Sequence, residues 1–148
     1  MVLAMASTAF ADGPTATITV NNADNATLTY AQVIKADQTT RTGWAFVNDD
    51  VKNAYIEAYG VADDDAQAAI EKLIANTDAE KLGKAQALAA GKVTFVEMSN
   101  PQTVSEAGVY LVKATEVGYT YNIMSAYVGF GEAPNLTNAI VNAKKTPI

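Results

Sequence analysis

The sequence predicts a mainly β protein, an antiparallel β-sandwich of about seven strands with a helical insertion at about residues 49–90. Two observations support this prediction. Short runs rich in Val, Ile, Thr and Tyr, bounded by turn residues, occupy residues 16–37 and 92–143, and such runs are typical of strands. Between them, apolar residues recur at the spacing of an amphipathic helix. The chain therefore runs from strands to helices and back to strands.

The N-terminal strands are expected to form a hairpin. Ala16–Val20 and Thr29–Asp37 are β-rich, and the segment Asn21–Asn25 between them holds residues that tolerate tight bends. Thr39–Gly43 then reads as a loop, and Trp44–Phe46 begins a third short apolar stretch.

Capping signals divide the insertion into three helices. The first begins at Asn48–Asp50, an N-cap with an acidic first turn, and ends before Gly60. The second follows Asp63–Asp65, and the third opens with a capping box over Thr77–Glu80 and closes at Gly91. We expect these helices to cover an open sheet edge, with a lid over a ligand as the alternative.

Beyond the helices the hydrophobic period returns to two residues. The predicted strands are Lys92–Met98, Val109–Ala114, Tyr119–Val128 and Asn138–Ala143, and Asn100–Pro101 is a turn. The run Val109–Ala114 is the strongest strand signal in the chain.

The N-terminal residues indicate export. Val2–Phe10 is apolar, and Ala9–Ala11 matches the small-x-small pattern of a signal-peptidase site. Cleavage there would leave Asp12 as the mature N-terminus. Because no basic region precedes the apolar run, we expect residues 1–11 to be the remnant of a longer signal peptide. No run reaches the roughly 18 apolar residues of a membrane-spanning helix.

Composition argues against several classes of function. The chain has no cysteine and no histidine, so the usual general base near neutral pH and the commonest zinc ligands are missing. A net charge of −6 argues against a nucleic-acid partner, which needs clustered Lys and Arg. The acidic run Asp63–Asp65 lacks the ligand spacing of a calcium loop and suits a helix N-terminus. We expect no enzymatic activity, no cofactor and no metal.

Several short motifs resemble those of a known family. The segments Thr17–Asn22, Thr29–Asp37 and Gly43–Phe46, followed by Glu106–Val112 and Tyr127–Gly129, resemble the N-terminal domain of Gram-positive sortase-assembled pilins. Their order and spacing carry the resemblance, which spans nearly the whole mature chain. It implies an Ig-like β-sandwich in a secreted, wall-anchored, multi-domain shaft subunit.

The resemblance also implies a domain organisation and a set of partners. Residues 12–143 would form the pilin N-terminal domain, and residues 144–148 would begin a linker to a further domain. The partners would be other pilin subunits, joined by a sortase at the cell surface. A fimbrium of this kind belongs to the cell wall.

Pilin polymerisation uses a lysine near the end of such a domain. In the family it lies in a Tyr-Pro-Lys-Asn type motif, whereas this chain reads Asn142-Ala143-Lys144-Lys145, without the aromatic residue and the proline. Lys144 or Lys145 could still supply the exposed primary amine. Lys145 is the better candidate if Asn142 points inward, and a pair of solvated linker lysines is the alternative.

The family also forms an internal Lys–Asn isopeptide bond. Its chemistry needs a lysine that burial deprotonates, an asparagine in reach and a protonated acid. Lys35, Asn142 and Glu106 satisfy the usual order along the chain, with Glu97 and Glu116 as substitutes for the acid.

Strand alternation weakens the assignment of Lys35. Leu28, Tyr30 and Ile34 would share the more apolar face of their strand, which places Lys35 on the opposite, outward face. A solvated Lys35 is therefore the favoured interpretation, since lysine is seldom fully buried.

Together these observations predict a structural subunit of a covalently polymerised cell-surface pilus. The alternative is an adhesin-type module that binds a host glycan or matrix protein through the helical insertion and exposed tyrosines. The tyrosines concerned are Tyr110, Tyr119, Tyr121 and Tyr127, although aromatic residues at strand spacing more often form core and cross-strand pairs. An unrelated secreted Ig-like domain with no polymerising role is a further alternative.

Overall fold

A computed structural model describes residues 13–131 and 135–148, so the predicted signal-peptide remnant lies outside the described residues. In chain order the strands are β1 (Ala16–Asn21), β2 (Thr27–Ala36), β3 (Trp44–Phe46), β4 (Val96–Glu97), β5 (Gln102–Val104), β6 (Gly108–Thr115), β7 (Tyr119–Tyr121), β8 (Met124–Val128), β9 (Ala139–Asn142) and β10 (Lys145–Pro147). The α-helices are α1 (Asp49–Tyr59), α2 (Ala66–Ala75) and α3 (Ala79–Ala90).

Two sheets pack face to face. In the first sheet β1 lies between β5, which is antiparallel to it, and β9, which is parallel to it. In the second sheet β2 pairs with β6 along one edge and with β3 and β4 along the other, and β8 follows β6. A separate two-stranded sheet joins β7 and β10. The predicted mainly β sandwich with a helical insertion is confirmed.

The predicted N-terminal hairpin is wrong. β1 and β2 belong to different sheets, and the connection between them crosses from one sheet to the other. Asn22 takes a left-handed conformation there, with φ of 65°, and Ala23 is buried. The crossing lets Ile18 of β1 and Leu28 of β2 face each other across one core, which a hairpin within one sheet would not allow.

The second sheet is buried on both faces. The core between the two sheets holds Ile18, Val20, Leu28, Tyr110, Val112, Met124, Ala126 and Val128, among others. The core on the opposite face holds Val33, Ile34, Trp44, Tyr55, Ile70, Leu73, Val109 and Leu111, among others. The helices therefore form a third layer over a sheet face, whereas the sequence suggested cover for a sheet edge.

A β-bulge breaks the predicted alternation of β2. The pairing with β6 shifts register between Gln32 and Ile34, so Val33 and Ile34 both pack into the core beneath the helices and are fully buried. Leu28 faces the other core. Ile34 therefore does not share a face with Leu28.

Side-chain caps begin each α-helix as the acidic turns suggested. Asn48 Oδ1 accepts from the backbone N–H of Val51 at 2.8 Å, and Asp65 caps α2 in the same way. The third cap is Asp78 and not Thr77, which shifts the start of α3 by one residue. No helix in the described part of the chain is long and apolar enough to span a membrane.

Candidate functional site

The C-terminal residues are anchored to the turn between β6 and β7. Lys145 aligns with Tyr121 and Pro147 with Tyr119 in an antiparallel pair, and the N–H of Ile148 donates to Gly118 O at 2.9 Å. Because successive residues of an extended chain point to opposite sides, Lys144 and Lys145 face different surroundings. Residues 145–147, which the sequence assigned to the start of a linker, form this strand.

Lys145 lies against a small polar and aromatic cluster. Its Nζ is 3.2 Å from Oε1 of Glu116 and 4.2 Å from the centroid of the Tyr119 ring. Tyr121 Oη donates to the same Glu116 oxygen at 2.5 Å. The Lys145 side chain keeps 25% of its exposure and that of Glu116 only 11%. We call Glu116, Tyr119, Tyr121 and Lys145 the Glu116 cluster.

The hydrogen bonds of this cluster favour its charged pair. The bond from Tyr121, followed by the bond from Lys145, lowers the pKa of the Glu116 carboxyl group. The same carboxylate, as hydrogen-bond acceptor and neighbouring negative charge, raises the pKa of Lys145. Lys145 is therefore held more firmly as an ammonium ion than a solvated lysine would be.

Lys144 is exposed and lines a groove between α3 and the connection from β7 to β8. The groove has a volume of about 650 Å³. On the helix side, Ala79, Gly83 and Ala87 recur every fourth residue and place a row of small side chains along the groove. The other lining residues are Leu82, Gln86, Tyr121, Asn122, Ile123, Met124 and Asn142.

A hydrogen-bonded bridge fixes the helix wall of the groove to the sheet. Gln86 Nε2 donates to Ile123 O at 2.9 Å, and Ser125 Oγ donates to Gln86 Oε1. Gln86 therefore ties α3 to the start of β8.

The three residues proposed for an internal isopeptide bond are all exposed. Asn142 points outward, where its Oδ1 accepts from Asn21 Nδ2 at 3.1 Å. Lys35 lies at the end of β2, and Glu106 lies in the turn before β6. Lys145 was the better linkage candidate only if Asn142 pointed inward. Asn142 points outward, so this condition is not met.

Lys35 and Asn142 also lie near different ends of β8. Lys35 aligns with Gly108 at the start of β6, and Gly108 aligns with Val128 at the end of β8. Asn142 instead lines a groove together with Met124, which lies at the opposite end of β8. The structure therefore does not bring this pair together.

The two substitute acids lie elsewhere. Glu97 is exposed on β4, and Glu116 pairs with Lys145. Among the described residues, no lysine, arginine, aspartate or glutamate is buried. The desolvated lysine that isopeptide chemistry needs is thus not found in the part of the chain that the structure describes.

Sequence reasoning missed the pairing of Glu116 with Lys145. A signal was available, because Tyr119 and Tyr121 stand two residues apart, on one side of a strand that follows Glu116 across the turn at Gly118. What the sequence did not indicate is that the C-terminal residues return to pair with this strand.

The four tyrosines considered for a sugar-binding face do not share one. Tyr110 is buried between the two sheets, and its Oη donates to Glu106 O at 2.6 Å. Tyr127 packs on the helix side of β8, where its ring stacks on Phe130 with centroids 5.9 Å apart. Tyr119 and Tyr121 belong to the Glu116 cluster.

Similarity to known proteins is found at the level of structure. No protein-family model and no curated protein matches this sequence. Among solved structures, the chain is similar to the T6 backbone pilin of serotype M6 Streptococcus pyogenes, described as a modular three-domain structure decorated with variable loops and extensions. The alignment covers 90% of this chain and 28% of that one, with 14% sequence identity and a TM-score of 0.46.

Proposed function

We propose that this chain is the N-terminal domain of a structural subunit of a covalently polymerised cell-surface pilus. In this proposal it is secreted, belongs to a wall-anchored fimbrium, and is a substrate of a sortase without enzymatic activity of its own. Other pilin subunits are its partners, and a lysine of the C-terminal segment, Lys144 or Lys145, receives the link. The motif resemblance and the β-sandwich with its helical layer support this proposal.

The observation that carries the proposal is the presentation of Lys144. Its neighbours are held in place, since the N–H of Ala143 donates to Asn21 O at 3.0 Å and Asn22 Nδ2 donates to Ala143 O at 3.1 Å. On its other side Lys145 begins β10. An exposed primary amine on an anchored segment beside a groove is the arrangement that a defined link between subunits needs.

The reaction is an acyl transfer. The donor is the thioester that a sortase forms with the C-terminal threonine of another subunit. The neutral ε-amine attacks the thioester carbonyl, a C–N bond forms and the C–S bond breaks. The sortase thiolate is the leaving group, and it takes up the proton that the amine nitrogen loses. The product is an amide between the two subunits.

Covalent ladders on the producing bacterium test this function. Cell-surface material is released with a muramidase, boiled in detergent, separated by size and probed with an antibody against this domain. We expect a ladder of multimers that boiling does not dissociate.

Replacing both Lys144 and Lys145 by Arg should reduce the ladder to monomer, because a guanidinium stays protonated and does not attack the thioester. The matched control is Lys84→Arg, which changes an exposed lysine on α3 and should leave the ladder unchanged. A wild-type chain found only as monomer would contradict the proposal and leave the adhesin-type module as the alternative.

A further inference from the structure

Two neighbouring amines in the C-terminal segment have opposite environments. Lys144 is exposed at the rim of the groove. Lys145 faces β7, where its Nζ contacts Glu116 at 3.2 Å and the Tyr119 ring at 4.2 Å. The sequence presents both as candidates and favours Lys145 if Asn142 points inward, whereas the fold makes the two lysines chemically different.

We propose that the Glu116 cluster determines which lysine is linked, by engaging Lys145 and leaving Lys144 as the reacting amine. The acyl-transfer reaction itself rests on the proposed function. In this assignment Glu116, Tyr119 and Tyr121 are positioning residues, and they contact neither the acyl donor nor the bond that forms.

The first reason is protonation. Only the neutral amine has a lone pair with which to attack a carbonyl, and a carboxylate at hydrogen-bond distance stabilises the ammonium form. The groups that face Lys145 are Glu116, Tyr119 and Tyr121, and the direction of its pKa shift agrees with this geometry. Among the described residues, no carboxylate holds Lys144 in this way.

The second reason is access. To reach an acyl donor, Lys145 would have to leave both the carboxylate and the aromatic face that it contacts, and its side chain is only 25% exposed. Its departure would also leave Glu116, which is only 11% exposed, with one hydrogen-bond donor fewer. Lys144 needs no such rearrangement.

The third reason is that Lys145 already has a structural role. Its ion pair joins β10 to the turn between β6 and β7, across the same strand pair that aligns Lys145 with Tyr121. This contact orients the segment so that Lys144 points toward the groove. The lysine that anchors the strand and the lysine that reacts are therefore different residues.

Amine reactivity tests the inference on the purified chain without any sortase. The chain is treated with a limiting amount of an N-hydroxysuccinimide ester of acetate, and acetylation of each lysine is followed by peptide mass spectrometry. We expect Lys144 to react at a rate similar to exposed Lys84 and Lys145 to react several-fold more slowly. Equal rates at Lys144 and Lys145 would overturn the inference.

Two variants separate the effect of the Glu116 charge from that of the Tyr121 hydroxyl group. Glu116→Gln keeps the size of the side chain and an acceptor for Tyr121 while it removes the negative charge, so acetylation of Lys145 should accelerate toward that of Lys84. Tyr121→Phe keeps the carboxylate, so Lys145 should stay slow. In both variants Lys144 should react as in the wild type, which serves as the internal control for folding. An unchanged Lys145 rate in Glu116→Gln would contradict a role for this charge.

The linked lysine can also be identified in the polymer. Branched peptides isolated from the covalent ladder should carry the link at Lys144. Lys144→Arg should remove most of the ladder, and adding Glu116→Gln should restore part of it through Lys145. A ladder linked at Lys145 in the wild type would overturn this inference and keep the proposed function. The absence of any ladder would contradict the proposed function. The acetylation rates would still test whether the Glu116 cluster makes Lys145 less reactive than Lys144.

Discussion

Lysines of this protein differ in what their side chains contact. Lys35 is exposed to solvent near the end of β2, whereas the Nζ of Lys113 lies 4.1 Å from the centroid of the Phe95 ring. Lys145 has both an aromatic ring and a carboxylate within reach. Reactivity of a lysine in this chain therefore depends on partners that lie far away in the sequence.

The Glu116 cluster should make stability depend on pH in the acid range. The pKa of Glu116 is lower in the folded state than its ordinary value of 4.5. Its contribution is therefore complete above pH 4.5 and is lost as the pH falls through the lower, folded-state value. Urea unfolding above and below that range should show a smaller loss of stability for Glu116→Gln than for the wild type. Parallel losses in the two proteins would contradict this assignment.

Tyr55 offers a stabilising substitution. Its side chain is fully buried, and its hydroxyl has no hydrogen-bond partner among the described residues. Tyr55→Phe removes this unsatisfied group and should raise the free energy of unfolding by about 1 kcal/mol, measured by urea denaturation.

Tyr110→Phe is the matched control, because the Tyr110 hydroxyl donates to Glu106 O at 2.6 Å. Losing this bond should lower the free energy of unfolding by about 0.5–1.5 kcal/mol. Equal effects of the two substitutions would show that the Tyr55 hydroxyl is satisfied.

An internal isopeptide bond is tested by intact mass. Because Lys35 and Asn142 are both exposed, we expect the purified chain to have the mass of its sequence. A mass lower by one molecule of ammonia would contradict this expectation.

Among the helices and strands, α3 has a distinct role because it forms one wall of the groove. Its small residues Ala79, Gly83 and Ala87 line the groove, and Gln86 ties the helix to the β7–β8 connection. A glycine in the middle of a helix is unfavourable, so Gly83 lowers the stability of α3. Beyond the backbone of its own helix, a methyl group added at Gly83 would meet no described atom within 4 Å.

Gly83→Ala should therefore stabilise the protein by about 1 kcal/mol, the difference in helix propensity between the two residues. Thermal unfolding followed by circular dichroism measures this as a higher midpoint. Gly108→Ala is the contrasting variant, because φ is 153° there and an added Cβ would lie 2.0 Å from Ile34 O. That variant should lose about 2 kcal/mol or more. A destabilised Gly83→Ala would mean that the groove wall does not tolerate a methyl group.

For the molecule as a whole, the central feature is a sheet with a core on each face. β6 contributes side chains to both cores. Tyr110 and Val112 point toward the other sheet, and Val109 and Leu111 point toward the helices. The shared strand couples the sandwich to the helical layer. We therefore expect the two layers to unfold together.

Leu111→Ala tests this coupling. Leu111 is fully buried beneath the helices, so its truncation should cost about 2–5 kcal/mol. The single tryptophan, Trp44, lies in the same core, so its fluorescence reports the helical layer while far-ultraviolet circular dichroism reports the whole fold. The two transitions should coincide and shift together. Separate transitions would show that the helical layer unfolds on its own.

Local patterns in the chain were enough to predict the class of fold and the helices. Caps such as Asn48 and the apolar spacing of α1 act within one or two helical turns, so the residues that decide them are close in sequence. Capping and helical spacing depend on short-range geometry. The exposure of Lys35 was also expected, but the strand alternation behind that expectation does not hold, because the bulge between Gln32 and Ile34 moves Ile34 to the other face.

The long-range features required the three-dimensional structure. Asn21–Asn25 reads locally as a hairpin turn, but the choice of sheet for β2 depends on its pairing with β6, far along the chain. Likewise Lys145 and Glu116 are 29 residues apart, and the tyrosines that follow Glu116 do not indicate that the C-terminal residues return to pair with them. Pairing between distant strands is decided by how the apolar faces pack together, and no local pattern contains that information. For this reason the sequence indicates two candidate lysines, and the packing of β10 on β7 distinguishes them.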